Sequence, residues 1–371
     1  MVSESVDIAI IGGGSSGLNL ARELCQIQTI PHTLVIEPKT PKDRDCSWAL
    51  WAEQPFDKNY APAIKGSWPA WQLVDHNGSI AHVGSQYNYL SLSAEKYLTY
   101  CESQLKEPIS LRRDSVKKLQ TIGDGGLIMT SQSTINARYI YDSRPKTFPN
   151  NALKQHFLGW EIITKEPIQN PHIATLMDFR TDQSQGVHFI YVLPFSPRHL
   201  LVESTLVTQQ LQPKDWYRHA IQVWLNDRGI EVSQHVGEEY GVIPLDNCVS
   251  TSRSIGASSG AIRRSSGYAF VNIQQQTKQL AHGIAEGNYR VPKPITRGLN
   301  FMDSIFNDVL LNHPNLGTEI FMRTAKALNA DQFAQFMLGR ADTYSWAKVV
   351  AAMPKIPFIK QTIFSNKAGS P

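Results

Sequence analysis

Two stretches about 190 residues apart carry residue types that can do chemistry. Near the start, Asp7-Ile-Ala-Ile-Ile-Gly12-Gly-Gly14-Ser-Ser-Gly17 reads as a buried strand running into a glycine turn. Downstream, Tyr191-Val-Leu-Pro194-Phe195 leads through Leu200-Leu-Val202 to Glu203-Ser-Thr205, a carboxylate set among apolar residues. The first suits a dinucleotide. The second suits an acid held out of water. Together they point to a flavoprotein whose chemistry needs a strong, desolvated acid.

Each glycine of the turn has a physical task. Gly12 permits the tight turn, Gly14 lets backbone approach a pyrophosphate, and Gly17 lets helix pack on strand. The helix N-terminus attracts phosphate oxygens. Glu37 follows Gly17 by 20 residues and can accept hydrogen bonds from ribose hydroxyls. An acid there disfavours a 2′-phosphate, so the pocket reads as FAD or NAD. The position at the N-terminal end of the sequence favours FAD, and Gly256 and Gly260 form a late glycine stretch suited to closing such a site.

In an alternating strand Leu201, Glu203 and Thr205 share one face. A strand glutamate ordinarily faces water or pairs with a cation, and Arg198 is close in sequence. Asp178 beside Arg180 reads as a structural ion pair, and Glu161 calls for the same bland reading.

The elements that must position these residues begin with a β-α-β unit: strand 6–11, helix 17–28, strand 33–36. Residues 38–85 read as loops rich in Trp and Pro. Ser93 can cap a helix running to Leu105. A hairpin is expected over 116–130, and a short strand over 138–141. Strands over 158–164, 174–179, 187–193 and 200–206 suit an antiparallel sheet. A helix over 213–227 ends at Gly229. From Phe301 the pattern is helical, with breaks at Pro314, Pro354 and Pro357. The fold class expected is α/β, a Rossmann-like FAD-binding lobe with an antiparallel substrate sheet and a helical C-terminal region. The expected division is 1–150 for the lobe, completed by 241–292, then 151–240 for the sheet and 293–371 for the helical region.

Length and composition set bounds. A chain of 371 residues can bury a large core. A net charge of +4 gives no case for nucleic acid. Cys25, Cys46, Cys101 and Cys248 have no paired spacing, so free thiols and no metal site are expected. No basic n-region precedes the first apolar run, and no stretch of about 18 apolar residues occurs, so neither a signal peptide nor a membrane span is read.

The residues in order are similar to a known family. Besides the glycine motif, the carriers are Asp43-Arg44-Asp-Cys-Ser-Trp48, Asp142-Ser-Arg144-Pro145, Phe157-Leu-Gly159-Trp160-Glu161, Met177-Asp178-Phe179-Arg180, Pro194-Phe195, Val202-Glu203-Ser-Thr205, Ile243-Pro244-Leu245 and Gly267-Tyr268. The chain resembles the FAD-dependent lycopene cyclases of carotenoid biosynthesis, the soluble bacterial and plastid type. The resemblance implies that Glu203 is the essential acid and that Arg44, Asp142 and Arg144 join the glycines and Glu37 at the cofactor. It departs at Ile255-Gly256-Ala257, where many members carry an acid; grip there would rest on backbone groups.

The implied reaction closes the ψ end groups of lycopene to β-rings, giving gamma- and beta-carotene, with no net redox change. β and ε closure differ only in which proton leaves, and both stay open on the residues alone. Reduced FAD is the implied cofactor, NAD(P)H its external reductant. Trp160, Tyr191, Phe195 and Tyr268 are the aromatic candidates for steadying a cation. Lycopene lives in bilayers, so a cytoplasmic protein resting peripherally on a membrane surface is expected, in contact with other carotenoid enzymes. The tail 343–371 offers Lys348, Lys355, Lys360 and Lys367 among Trp346, Ile356, Phe358, Ile359 and Phe364. Two other readings stand beside this one. One is an FAD-dependent hydroxylase or isoprenoid reductase acting on a lipid. The other is a non-catalytic prenyl-binding escort, which would need no acid.

Overall fold

The computed structural model describes residues 3–246 and 250–368. Cys248 lies outside them; Cys25, Cys46 and Cys101 are free. In chain order the first elements are β1 (Ser3–Ile11), α1 (Ser15–Leu24), β2 (Thr33–Ile36), β3 (Ser47–Glu53), β4 (Ile64–Trp68), β5 (Ala70–Asp75), β6 (Gly78–Val83) and β7 (Tyr87–Ser93). Then come α2 (Ala94–Ser103), β8 (Ile109–Arg112), β9 (Val116–Ile122), β10 (Gly125–Thr130), β11 (Thr134–Asp142), β12 (Lys154–Thr164) and β13 (Ile173–Asp178). β14 (Val187–Pro194), β15 (His199–Thr208), α3 (Lys214–Asn226) and β16 (Val232–Pro244) follow. The rest is helical: α4 (Phe270–Ala285), α5 (Arg297–Asn312), α6 (Gly317–Ala327), α7 (Ala330–Met337), α8 (Thr343–Ala352) and α9 (Lys355–Ala368).

The chain has an α/β fold. One sheet has the order β8-β2-β1-β11-β10-β9. Its strands β8, β2, β1 and β11 run parallel, β9 and β10 form the expected hairpin, and β10 also pairs antiparallel with β11, the expected strand at 138–141. Ile8, Ala9, Ile10 and Ile11 of β1 are all buried because the strand is central and covered on both faces. α1 packs on α4, so residues more than 240 positions apart complete this lobe. Ser93 caps α2 by accepting the Lys96 N–H at 3.2 Å.

A seven-stranded sheet, β16-β12-β15-β14-β13-β5-β6, carries Glu203. It is antiparallel except where β13 runs parallel to β5. Its two faces differ. Leu200, Val202 and Leu206 pack under α3 against Tyr217, Ile221, Trp224 and Leu225. Leu201, Phe189 and Leu193 face a second core with Trp51, Trp71 and helical residues such as Phe333.

Three expectations need correction. Residues 38–85 are not mainly loops: β3 and β4 flank β7 in a three-stranded sheet, and β5 and β6 extend the large sheet. β3 and β4 pair with β7, and β5 pairs with the distant β13 as well as with β6 in a local hairpin; Trp51, Trp68 and Trp71 are buried where an alternating pattern gave no signal. β16 was not expected because it is an exposed edge strand in which Ser233, Gln234, His235, Glu238 and Glu239 interrupt the apolar residues. Pro357 lies within the first turn of α9, where a missing N–H costs nothing, and does not break it.

Candidate active site

The glycine turn joins β1 to α1. Gly12 has φ +96°, a conformation that L side chains rarely adopt, and a Cβ there would strike the Ser143 hydroxyl. A Cβ on Gly17 would run into the Gly12 carbonyl, so helix and strand touch only because it is absent. Gly14 is different: a Cβ there would meet only the Arg44 guanidinium at 3.7 Å. Gly14 is also the N-cap, with no side-chain cap and no acid in the first turn, so the amides at the helix start are open to an anion.

Glu37 is buried at the end of β2. It accepts the Gly13 N–H at 2.6 Å, the Lys39 N–H at 2.8 Å and the Arg44 guanidinium at 2.5 Å. Burial pushes its pKa up, but Arg44 and the two amides outweigh burial and hold it below the usual range. Asp142 and Arg144 form an ion pair at 2.7 Å beside Ser143, whose hydroxyl donates to the Ile11 carbonyl. The late stretch closes on the same point. The Ile255 N–H donates to the Asp142 carbonyl, and a Cβ on Gly256 would strike Ser16. Gly260, also at positive φ, has open space at its Cβ position.

Glu203 sits on β15 opposite Tyr191 of β14 and Gly159 of β12. It is 8% exposed, and the Thr205 hydroxyl donates to it at 2.6 Å. Burial and the nearby Glu239 push its carboxyl up to about 8, against the pull of Thr205. It lines a cavity of about 400 Å³ with Glu239, Tyr89, Tyr191, Tyr268 and Phe157; Ser15 and Ala257, from the glycine segments, line the same space. The Tyr89 hydroxyl joins those of Tyr191 at 2.9 Å and Tyr268 at 2.7 Å, so the wall is locked by a hydroxyl chain. Trp51 packs on Tyr89 and Tyr268 from behind.

Residues 7–362 match the model of the lycopene cyclase protein family. This chain belongs to the lycopene cyclase family. Among curated relatives, the lycopene beta-cyclase of Pseudescherichia vulneris is 24% identical over 64% of this chain and 61% of its own length. That of Pantoea ananas is 22% identical over 64% and 62%. The chain thus matches about three fifths of those relatives. The fold is similar to that of a geranylgeranyl bacteriochlorophyll reductase-like protein of Thermoplasma acidophilum, at TM-score 0.63 and 13% identity, covering 97% of this chain and 99% of that one. A flavoprotein/dehydrogenase of Cytophaga hutchinsonii is similar at TM-score 0.59 and 13% identity, covering 98% and 100%.

In this lycopene cyclase family member the structure gathers some of the singled-out residues and separates others. Gly12, Gly14, Gly17, Glu37, Arg44, Asp142, Arg144 and Gly256 surround one turn. Glu203, Tyr191 and Tyr268 share the cavity. Trp160 does not join them: it pairs with Val202 on the α3 face, and its indole donates to Glu238 at 3.1 Å. Phe195 lies beyond the cavity, tilted against Trp68 with the Lys65 ammonium 4.6 Å from its ring. Both fall outside for one reason: aromatic type in a strand does not say which face or which end it occupies. Glu239 and Tyr89 were missed. Tyr89 was legible in the alternation Tyr87-Asn-Tyr89-Leu-Ser91, whereas Glu239 lies in a polar edge strand with no such signal.

No helix among the described residues is long and apolar enough to cross a membrane. In the tail, Lys355 donates to the Val350 and Ala351 carbonyls and so caps α8, while Lys348 donates to Gln332. Val350, Ile356 and Ile359 are exposed beside them. The side chains of Phe364 and Lys367 lie outside the described residues.

Proposed function

We propose that this protein is a lycopene β-cyclase that works with reduced FAD. One observation carries the reading: a single cavity runs from Ser15 and Ala257 at the glycine segments to a buried, proton-holding carboxyl at Glu203.

The residues present fit the cofactor. The uncapped start of α1 and the space over Gly14 suit a pyrophosphate, Arg44 supplies a cation there, and Glu37 suits ribose hydroxyls. Asp142, Arg144, Gly256 and Gly260 would complete the cradle. When bound and reduced, the flavin would supply fixed negative charge and a planar wall to a cationic substrate, which gives a redox-neutral reaction its reason for a flavin. NAD(P)H is the external reductant this reading names.

The chain's own part is proton handling and enclosure. A solvated glutamate has a pKa of about 4.3 and is ionised at neutral pH. Glu203 keeps its proton and can deliver it to the terminal alkene of lycopene. The neighbouring alkene then closes the six-membered ring on the tertiary cation, and loss of a ring proton gives the β-ring. Tyr191, Tyr268 and Tyr89 present aromatic surface to that cation; each such contact contributes about 2 kcal/mol when dry. Lycopene would arrive from a bilayer at the exposed apolar residues of α8 and α9.

Expression in a lycopene-accumulating bacterium, with chromatography of the pigments, tests the reading. The parent should give gamma- and beta-carotene, and Glu203→Gln should leave lycopene. Cyclised pigment from the variant at normal protein levels would remove Glu203 from the role. Product formed with matched consumption of NAD(P)H would instead favour a lipid reductase or hydroxylase.

A further inference from the structure

We infer that Glu239 takes the ring proton, so that two carboxylates divide the acid and base work of one turnover; the inference rests on the cyclase reading above. The geometry centres on Gly159. It is in register with Glu203 of β15 on one side and with Glu239 of β16 on the other. A Cβ on Gly159 would lie 3.3 Å from the Glu239 Cγ and 3.4 Å from the Glu203 Cβ. Its bare position lets both acids lean over one strand into one cavity.

Their surroundings are unequal. Among the described residues Glu203 has only the Thr205 hydroxyl as a hydrogen-bond partner. Glu239 is half-buried and accepts the Ser47 N–H at 2.9 Å. Lys65 stands behind Ser47, 3.4 Å from its hydroxyl, and pairs with Glu161 at 2.5 Å; Glu161 in turn meets His199 at 2.7 Å. The titratable groups facing Glu239 are Glu203 from β15, Glu161 from β12, Lys65 from β4, Tyr191 from β14, and Asp45 and Cys46 ahead of β3. Burial raises the Glu239 carboxyl; the Ser47 amide and Lys65 pull it back only in part, Glu161 and Asp45 push the other way, and it stays above the usual carboxylate range. Two carboxylates in one dry cavity do not both ionise readily. The proton rests on Glu203, which no cation faces among the described residues, and the charge rests on Glu239, which Lys65 faces. Such a split assigns acid and base.

The step balances. The Glu203 O–H bond breaks as a C–H bond forms at the terminal alkene carbon. The neighbouring alkene forms the ring C–C bond. A ring C–H bond then breaks, its electrons become the ring double bond, and the proton passes to the Glu239 carboxylate. The pair holds one proton before and after, so transfer from Glu239 to Glu203 resets it without any oxidant or reductant.

The test uses the purified flavin-loaded protein with lycopene in liposomes, reading kcat and KM against pH for the parent, Glu239→Gln and Glu239→Asp. The glutamine variant should lose roughly 10²-fold or more in kcat with KM within a few-fold. It should also lose the acid limb of the pH profile, and its alkaline limb should move to lower pH, because no negative neighbour remains to hold the proton on Glu203. Glu239→Asp should keep an acid limb at a reduced rate, and it decides the case if the glutamine variant does not fold. A glutamine variant within about 3-fold of the parent, or one that is slow but keeps both limbs in place, overturns the assignment. So does a Glu239→Asp variant with the parent's full rate and profile. A parent that does not cyclise lycopene refutes the cyclase reading itself, and the inference falls with it.

Discussion

Asp178 and Glu203 belong to one sheet and are both buried, at 1% and 8% exposure, yet they sit in opposite electrostatic settings. Asp178, under α3, bonds to Arg180 and Arg228 and to the Trp224 indole at 2.9 Å. Burial pushes it up, but these partners win and hold it below the ordinary carboxylate range. Glu203, on the other face, has one hydroxyl partner and a second acid nearby, and is pushed up to about 8. Burial is common to both; the presence of cations is what separates a structural carboxylate from one that stores a proton.

The contrast can be broken most sharply at Glu203. Glu203→Gln should lower cyclisation by at least about 10³-fold, through loss of proton transfer, while the protein stays folded. The same variant should gain stability relative to the parent as pH rises. The folded pKa of Glu203 lies above the unfolded one, so the native state binds the extra proton between them, and wild-type stability falls as pH climbs from the ordinary value of 4.5 to about 8. Melting curves should therefore show a larger advantage of the variant at pH 9 than at pH 5. An equal shift at both would contradict the assigned pKa direction.

Gly14→Val should yield protein without bound flavin, because the side chain fills the space over the helix start. Flavin absorbance per chain equal to the parent's would count against the cradle. Asp178→Asn tests the other pole. It should cost about 2–4 kcal/mol, since Arg228 and the Trp224 indole lose a buried partner. Specific activity per folded molecule should hold within about 3-fold, since the stabilisation is independent of proton transfer. Because its pKa is lowered, the parent loses the Asp178 contribution only as pH falls below the ordinary carboxylate range, and the variant's deficit should shrink there. The smallest effect is expected in the tail. Replacing Lys348, Lys355 and Lys360 with Gln should weaken flotation with anionic liposomes by only a few-fold, and less at high salt, because Lys348 and Lys355 already bond within the protein. Unchanged flotation at both salt levels would move the contact to the apolar side chains alone.

Local signals were legible wherever chemistry and neighbours in sequence agree. The glycine turn, the Ser93 cap, the hairpin at Gly123 and the alternation around Glu203 all depend on residues a few positions apart. What escaped depends on distant partners. β3, β4 and β5 bury Trp51, Trp68 and Trp71 against partners outside their own segments, and β16 is an edge strand that carries its cavity-facing acid beside the exposed Glu238. Trp160 and Phe195 were placed near the acid by type, but strand parity puts the first under α3, and the second follows the end of β14, past the cavity. The unusual acid itself was visible from its apolar flanks; the second carboxylate that raises it was not.

The central claim is that Glu203 is neutral at physiological pH. Infrared difference spectra of the parent against Glu203→Gln, followed through a pH titration, read this directly. A protonated-carboxyl C=O band is expected at pH 7, fading with a midpoint near 8 and missing from the variant. Spectra in which Glu203 contributes only carboxylate bands at pH 7, with its protonated form seen only near pH 4, would contradict it.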